Sequence, residues 1–201
     1  LLLDPRPGER MLDACSAPGG KAAFAAQLMQ GRGQVVAGEI NPSRLRLIRE
    51  TSARLAAPIV EAVQLDAAAF PAEFGGTFDR VLVDAPCSGL GVIRRKPEGK
   101  WWKKPGDPAE HAVLQRKILA SAAGCVKPGG TLLYSTCSTD AREDEEVVDD
   151  FLSRHPGFVL ENLAERFPAW EELFTPRGMF RSWPHRHGMD GFFAARLKRQ
   201  L

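Results

Sequence analysis

Two cysteines follow apolar runs that have the length and composition of β-strands. Cys87 lies in "DAPCSGLG" and Cys137 in "YSTCST", and a serine follows each of them. One cysteine at such a place is more often a small buried hydrophobe, but two at neighbouring strand ends favour a chemical role. A thiolate that adds to carbon 6 of a pyrimidine turns carbon 5 into an enamine carbon able to attack an electrophilic methyl group. A base must then take the proton from carbon 5, so two thiols can divide the work.

A glycine-containing loop, "DACSAPGGKA", precedes these cysteines in the chain. A Walker loop would need glycine where Cys15 stands and serine or threonine where Ala22 stands, so this loop is not of that type. Gly19 and Gly20 let the backbone approach a ligand that a side chain would exclude. Glu39 follows about twenty residues later, the separation between a glycine-rich turn and the ribose-binding acid of nucleotide-binding sheets.

Acidic residues also end two further candidate strands, Asp66 after the third and Asp84 after the fourth. An acid-lined pocket repels phosphate and tolerates a cation, and the sulfonium of S-adenosylmethionine is a cation. The loop, Glu39 and these two acids together predict a methyl-donor site. A plain tight turn beside exposed acids is the alternative interpretation.

The elements that must position these residues alternate between short apolar runs and helical patterns. Candidate strands are 10–14, 34–40, 59–66, 78–85 and 130–136, late strands are 158–163, 179–183 and 192–199, and candidate helices are 21–29, 43–55, 109–126 and 142–154. This order predicts an α/β fold with a mostly parallel sheet and helices on both faces. The sequence Asn41-Pro42-Ser43 is a start signal for the second helix, with Ser43 as a candidate cap, and "KPGG" at 127–130 is a stop signal before the fifth strand. The crossover after the third strand has no clear helical pattern.

The composition is that of one globular domain, since 201 residues with 44% apolar residues can bury a sizeable core. No run of about 18 apolar residues is present to span a bilayer, so no membrane partner is expected. Four widely spaced cysteines predict free thiols in a reducing compartment and no zinc site. The net charge of +2 indicates a nucleic acid only weakly. Basic residues concentrate at 94–104 and 176–187, either as RNA contacts or as solvated faces.

Several other residues have two interpretations. Trp101 and Trp102 lie among lysines and could stack an unpaired base, or one could belong to the core while the other is partly exposed. His185 and His187 have no third ligand nearby, so they favour an RNA-facing rim or plain surface over a metal site. Cys125 lies near the end of a candidate helix, where an inert core thiol is expected.

The ordered set of motifs resembles the RNA cytosine-5 methyltransferases of the Sun type. "DACSAPGGK" is similar to the donor loop of that family, "DAPCSGLGVIRR" to its Pro-Cys motif, "YSTCS" to its Thr-Cys motif and "DGFFAARLKR" to its closing strand. Ser16, Ala22 and Glu39 depart from the alanine, threonine and aspartate that are more usual in the family. The resemblance spans nearly the whole chain. It implies a Rossmann-like S-adenosylmethionine-dependent methyltransferase fold, with a twisted sheet and an antiparallel C-terminal strand.

The resemblance also implies roles for individual residues. Cys137 would add to carbon 6 of cytosine, and Cys87 would assist release of the methylated product. Asp84 would hold the ring nitrogen and amino group of the base, and Lys21 would face the active centre. The S-adenosylmethionine donor would contact Cys15, Ser16, Ala17, Pro18, Gly19, Gly20, Lys21, Glu39, Arg44, Asp66 and Asp84. Arg44 either reaches toward the donor or covers a solvated helix face.

The expected activity is methylation of carbon 5 of cytosine in ribosomal RNA, because "RRKPEGKW" most resembles bacterial enzymes that act on small-subunit RNA. Residues 1–201 are expected to form one cytoplasmic catalytic domain, a fragment that lacks an amino-terminal RNA-binding domain. The expected partners are RNA and the donor, with no metal. A catalytically silent RNA assembly factor is one alternative. A DNA cytosine-5 methyltransferase, with its nucleophile in the Pro-Cys motif, is another.

Overall fold

One β-sheet of eight strands organises residues 1–201 in the computed structural model. The strands are β1 Arg10–Asp13, β2 Gln34–Glu39, β3 Val60–Gln64, β4 Phe78–Asp84, β5 Val126–Thr136, β6 Phe158–Leu160, β7 Phe180–Ser182 and β8 Phe192–Arg199. The α-helices are α1 Gly20–Leu28, α2 Pro42–Arg54, α3 Asp107–Cys125, α4 Glu145–Arg154, α5 Leu163–Arg166 and α6 Pro184–His187. Short 3-10 helices cover Ala72–Phe74, Leu90–Val92, Pro97–Trp101 and Pro168–Leu173. None of the helices has the length and apolar character that crossing a bilayer requires.

The strand order is β3-β2-β1-β4-β5-β8-β6, and β7 pairs with β8 off this path. Strands β1 to β5 pair in parallel, whereas β8 runs antiparallel to β5, β6 and β7. The chain moves outward from β1 to β3 and then returns to place β4 on the other side of β1. Ligands of open parallel sheets bind beyond the carboxyl ends of the strands at such a reversal. The predicted α/β architecture with an antiparallel C-terminal strand is therefore confirmed.

Both faces of the sheet are covered by apolar side chains. Leu12 points to one face and packs in a cluster with residues of α3 and α4. Met11, its neighbour in β1, points to the other face and packs with residues of α1 and α2. Successive side chains of a strand point to opposite faces, so a strand that is buried on both sides needs apolar residues at successive positions. The two clusters confirm that helices lie on both faces, and they leave the ends of the strands as the edge open to a ligand.

The second helix is capped by Asn41 and not by Ser43. Asn41 has extended backbone angles, and its side-chain oxygen accepts a hydrogen bond from the backbone N–H of Ser43 at 2.9 Å. Pro42 is the first helical residue; its fixed φ suits that position and its missing N–H is not needed there. The helix therefore begins one residue earlier than predicted, and the cap moves back with it.

The sequence "KPGG" forms part of β5 rather than a stop ahead of it. The strand begins at Val126, opposite Phe78, and its register with β4 slips before Thr131 pairs with Arg80. Gly129, with φ of +71°, provides the left-handed backbone that the irregularity needs. Other boundaries differ from the predicted ones by a few residues: α3 begins at Asp107 and not at 109, and α4 begins at Glu145 and not at 142. Only a 3-10 turn follows β3, as its sequence indicated.

We expect Asn41→Ala to lower the free energy of unfolding by about 1 kcal/mol, since the substitution removes the acceptor for an otherwise unpaired helix N–H. Ser43→Ala is the matched control, because it keeps the backbone N–H that donates. Urea unfolding followed by far-ultraviolet circular dichroism measures both. A larger loss for Ser43→Ala than for Asn41→Ala would contradict the assignment of the cap.

Candidate active site

Cys87 and Cys137 meet at the carboxyl ends of β4 and β5. Their Sγ atoms lie 3.2 Å apart. The register of the two strands brings them together, because Asp84 stands opposite Ser135 and the backbone N–H of Ala85 continues the ladder by donating to the Ser135 carbonyl at 2.8 Å. The chain between the two cysteines contains the crossover helix α3 and the strand β5. The predicted pairing of thiols at neighbouring strand ends is a feature of this structure.

Two glycines hold the chain after Cys87 against the chain after Cys137. The backbone N–H of Gly91 donates to the Cys137 carbonyl at 2.9 Å, and Gly191 donates to the Gly91 carbonyl at 2.8 Å. A Cβ atom on Gly91 would lie 2.0 Å from the Gly191 carbonyl oxygen, so no side chain fits there. The strand β8, which begins directly after Gly191, is thereby tied to both cysteine loops.

The two thiols have opposite protonation preferences. The hydrogen bond from Cys87 lowers the pKa of Cys137 below its ordinary value, although burial and the Asp84 carboxylate act against this. The same hydrogen bond, together with burial, raises the pKa of Cys87 well above its ordinary range. The directions of the two pKa shifts favour Cys137 over Cys87 as the group that loses its proton first. Of the two, Cys137 is the better nucleophile.

Lys21 and Asp84 form an ion pair beside the thiols. Lys21 Nζ lies 2.6 Å from Asp84 Oδ2, and the Ser135 hydroxyl donates to Asp84 Oδ1 at 2.8 Å. Burial works against the Lys21 ammonium, but the nearby Asp84 carboxylate outweighs it and raises the pKa of Lys21. The carboxylate of Asp84 is thus oriented from two sides, and the Lys21 charge contributes to lowering the pKa of Cys137.

A separate cavity of about 150 Å³ lies at the ends of β1, β2 and β3. Of the other predicted donor residues, Cys15, Glu39, Arg44 and Asp66 line it, whereas the loop residues from Ser16 to Gly20 do not. Arg44 extends from α2 to lie 3.3 Å from Glu39, and its Nη2 donates to the Ala17 carbonyl at 3.2 Å. Arg44 therefore points toward the cavity rather than along a solvated helix face. Burial raises the pKa of the Cys15 thiol to about 12, which makes it a poor nucleophile.

The predicted donor loop is a tight turn that leads into α1. The backbone N–H of Ser16 donates to the Gly38 carbonyl at 2.9 Å, and Gly19 donates to the Ser16 carbonyl at 2.7 Å. Gly19 has φ of +99°, and a Cβ atom there would lie 3.0 Å from the Cα of Ile48. Gly20 begins the helix, with Ala17 and Pro18 forming the turn before it. The glycine at position 19 is thus required by its conformation and by the contact with α2.

Asp13 is a polar residue of the site that the sequence analysis did not assign. Its side chain is almost completely buried at the end of β1, and neither carboxylate oxygen has a hydrogen-bond partner. Burial raises the pKa of Asp13 to about 7. The signal was present, because Asp13 is an acid at a strand end like Glu39 and Asp66. An unpartnered buried carboxylate is costly unless a ligand supplies donors or positive charge.

A second cavity of about 280 Å³ adjoins the ion pair on the α1 side of the sheet. Lys21, Asp84 and Ser135 line its polar end, and the remainder is mainly apolar, with Phe24 and Phe192 among the lining residues. The structure therefore divides the predicted set into two groups. Asp84 does not line the cavity that Glu39 and Asp66 share, and its contacts place it with Lys21 near the thiols.

The remaining candidates are resolved by their exposure. Trp101 and Trp102 are 76% and 78% exposed, so the interpretation that one belongs to the core is wrong.

Arg181, in the second basic run, is buried and ion-paired with Asp144 at 2.7 Å, so that run is not simply a basic surface. Cys125 is buried as predicted. The Nδ1 atom of His187, at the end of the short helix α6, accepts a hydrogen bond from the backbone N–H of Trp183, the residue before that helix.

All four cysteines are free, as their spacing predicted. The mixed sheet, with β1 to β5 in parallel and β8 antiparallel to β5, matches the fold of a solved methyltransferase homologue. The solved methyltransferase homologue from Pyrococcus horikoshii superposes with a TM-score of 0.82 at 29% identity, over 98% of this chain and 63% of that one.

The chain matches the family described as 16S rRNA methyltransferase RsmB/F over residues 1–198, and it belongs to that family. It is 44% identical over 200 residues to the "Probable ribosomal RNA small subunit methyltransferase B" of Bacillus subtilis, covering 98% of this chain and 45% of the relative. It is 41% identical over 210 residues to the human "28S rRNA (cytosine(4447)-C(5))-methyltransferase", covering 99% of this chain and 26% of the relative. The chain thus spans less than half the length of these relatives.

We expect Cys87→Ala to shift the alkylation of Cys137 to higher pH, because the thiolate loses the hydrogen bond that lowers its pKa. The rate of Cys137 modification by iodoacetamide, followed by peptide mass spectrometry across a pH series, gives the midpoint. Cys87→Ser is the matched control, since its hydroxyl keeps a donor and should move the midpoint less. A midpoint that is the same in Cys87→Ala and the unmodified chain would contradict the coupling.

Proposed function

We propose that this chain is the catalytic domain of an RNA cytosine-5 methyltransferase that acts on ribosomal RNA with S-adenosylmethionine as the methyl donor. The observation that carries the proposal is the pair of thiols, 3.2 Å apart and beside the Lys21–Asp84 ion pair. Methyl transfer to an oxygen or an amine has no evident use for two adjacent thiols of opposite protonation. Methyl transfer to carbon 5 of a pyrimidine needs a nucleophile and a base.

The first cavity has the features that S-adenosylmethionine requires. The buried carboxylate of Glu39 lines this cavity, and the unpartnered carboxylate of Asp13 lies at the neighbouring end of β1. Together they suit a ligand with a cationic centre and hydroxyl groups. The residues that would hold the donor are Asp13, the loop from Cys15 to Gly20, Glu39, Arg44 and Asp66. Bound there, S-adenosylmethionine supplies an electrophilic methyl group.

The reaction of the base begins with Cys137. Its thiolate would share an electron pair with carbon 6 of cytosine, and the electrons of the carbon 5–carbon 6 bond would shift toward carbon 5. Asp84, fixed by Lys21 and Ser135, would accept a hydrogen bond from the amino group and, once N3 takes a proton from solvent as the adduct forms, from the N3–H as well; that proton would return to solvent when the adduct breaks. Carbon 5 then has the nucleophilic character that cytosine itself lacks.

The same pair of thiols accounts for release of the product. While Cys137 is a thiolate, its hydrogen bond with Cys87 is the largest cause that raises the pKa of Cys87. Once Cys137 is bonded to carbon 6 this cause is removed, and Cys87 can lose its proton to solvent. The Cys87 thiolate would then take the proton from carbon 5 as the bond between Cys137 and carbon 6 breaks. Cys137 is then a free thiolate and Cys87 a thiol again, and the proton that Cys87 lost to solvent has been replaced by the proton from carbon 5.

An exposed surface near the thiols supports RNA as the substrate. Trp101 and Trp102 project from the loop that follows the Pro-Cys motif, and Lys100 Nζ lies 4.7 Å from the centre of the Trp101 ring. Lys103 from the same loop donates to the carbonyl of Ser88, the residue after Cys87. Exposed aromatic rings among lysines are typical of surfaces that bind single-stranded nucleic acid. Because Lys103 joins this loop to the chain beside Cys87, we infer that the surface contacts nucleotides next to the target cytosine.

Regions outside this chain would select the RNA, because the relatives are more than twice as long as the matched region. We propose that residues 1–201 carry the chemistry and that additional RNA-binding parts of the longer protein choose the nucleotide. Free thiols and an RNA substrate together favour a cytoplasmic protein.

The test is a denaturing gel of the chain mixed with ribosomal RNA and S-adenosylmethionine. We expect Cys87→Ala to form a protein–RNA adduct that survives denaturation, because methylation proceeds while release stalls. Cys137→Ala should form no adduct, because the bond to carbon 6 is not made. Cys125→Ala is the matched control, since that thiol is buried away from the site.

The opposite pattern would contradict the assignment of the two cysteines and favour the chemistry of a DNA cytosine-5 methyltransferase. Absence of any adduct and of methylated RNA, with donor binding intact by calorimetry, would favour the catalytically silent alternative. Adding the full-length homologous protein from Bacillus subtilis to a parallel reaction checks that the RNA is a competent substrate.

We expect Trp101→Ala and Trp102→Ala each to weaken binding of a short single-stranded RNA by about 1–3 kcal/mol, the contribution of one stacked base. Fluorescence anisotropy at several salt concentrations measures the loss. Val159→Ala is the control, because Val159 is an exposed apolar residue on the strand at the far edge of the sheet. Binding that is unchanged by either tryptophan substitution would exclude this surface.

A further inference from the structure

A buried carboxylate connects the two cysteine loops. Glu143, in the turn between β5 and α4, is fully buried. Its Oε1 accepts hydrogen bonds from the backbone N–H of Ser88 at 2.8 Å and from Gln115 Nε2 at 3.1 Å. Its Oε2 accepts from the hydroxyls of Ser88 and Ser138, the latter at 2.5 Å. Ser88 follows Cys87 and Ser138 follows Cys137, so one side chain is bonded to both loops.

Further hydrogen bonds hold this carboxylate in place. The hydroxyl of Tyr134 donates to the backbone carbonyl of Glu143 at 2.5 Å. Gln115, from α3, also donates to the carbonyl of Pro86 at 2.9 Å, so the residues on either side of Cys87 are both attached to the network. Hydrogen bonds to a carboxylate are short and strong, and in a buried network they restrict movement of every group that donates.

The neighbouring buried acid has different contacts. Asp144 accepts from the hydroxyl of Thr136 at 2.5 Å and from Arg181 at 2.7 Å, which ties the end of β5 to β7. Neither contact reaches the Pro-Cys loop. The Ser88 and Ser138 hydroxyls also lie 3.3 Å apart. Glu143 is therefore the acid whose removal would take an acceptor from both cysteine loops at once, leaving the two hydroxyls with only each other and the Ser88 backbone N–H without an acceptor.

We propose that Glu143 is a positioning residue that sets the separation of Cys87 and Cys137. The inference rests on the proposed function for the importance of that separation, since the thiols must share a proton and act in turn on one base. Without the carboxylate, the two serines would turn to other acceptors and the loops would move apart. A displacement of about 1 Å at reacting groups is enough to cost about a hundredfold in rate.

The rate of disulfide formation between the two thiols reports their separation without any methyl transfer. Diamide removes one hydrogen from each thiol and is reduced to the hydrazine as the sulfur–sulfur bond forms. We expect Glu143→Gln to slow formation of the Cys87–Cys137 disulfide by about tenfold, because the amide NH2 that replaces one oxygen cannot accept from the Ser88 backbone N–H and Gln115 or, if turned around, from the two serine hydroxyls. Intact-mass and peptide mass spectrometry measure the rate, and calorimetry should show unchanged donor affinity.

Glu145→Gln is the matched control, because Glu145 lies in the same segment but pairs with Arg181 and contacts neither serine. It should leave the disulfide rate within about twofold of the unmodified chain. If Glu143→Gln does not fold, the double substitution Ser88→Ala and Ser138→Ala makes the same test, since it removes the donors instead of the acceptor. The proposal would be overturned if Glu143→Gln, or the double serine variant, folds and forms the disulfide as fast as the unmodified chain does.

Activity provides a second readout that separates this inference from the function it rests on. If the chain methylates RNA, Glu143→Gln should lower kcat by about a hundredfold and leave the KM for the donor unchanged. If Glu143 only stabilised the fold, Glu143→Gln would lower the thermal midpoint without a selective loss of kcat and without slowing formation of the disulfide. If the chain proves inactive, the disulfide experiment still decides whether Glu143 sets the separation of the thiols.

Discussion

The parallel pairing of β4 with β5 is the constraint on which the site depends. With Asp84 opposite Ser135, the chain reaches Cys87 and Cys137 at the same place beyond the sheet. A shift of one residue in that register would turn the side chains of the shifted strand to the opposite face and separate the thiols. The side chains that alternate between the two apolar clusters fix the register, because a slip would force residues shaped for one cluster into the other.

The charges of the site are arranged around two cavities that share the carboxyl edge of the sheet. The donor side holds Asp13 and Glu39, both buried and both acidic. The other side holds Lys21 and Asp84, which pair with each other near the thiols. Burial strengthens the electrostatic interactions of Asp13 and Glu39, whereas water partly screens the half-exposed Lys21. The same burial explains why a hydrogen bond between two thiols can move their pKa values in opposite directions.

Much of this site could be predicted from sequence for local reasons. Acids and cysteines at strand ends share one edge because parallel strands all point the same way. The errors also have local causes. Ser43 was chosen as a cap because it is a good cap residue, but Pro42 begins the helix and leaves Asn41 to accept. The "KPGG" sequence was interpreted as a boundary, whereas Gly129 accommodates an irregularity within β5. In both cases the residue type indicated a special backbone conformation, and the residues next to it determined where the helix or strand begins.

The sequence by itself determined the α/β class, the residues that end each strand, and the motifs that mark the donor loop and the two thiols. Only the tertiary structure decided the distances between them. It placed Arg44 against Glu39, exposed both Trp101 and Trp102, and buried Glu143 between two serines. Periodicity and turn signals are properties of short segments, so a sequence displays them directly. Contacts between distant segments depend on strand register and on how helices pack across the sheet, and those are set by the whole core at once.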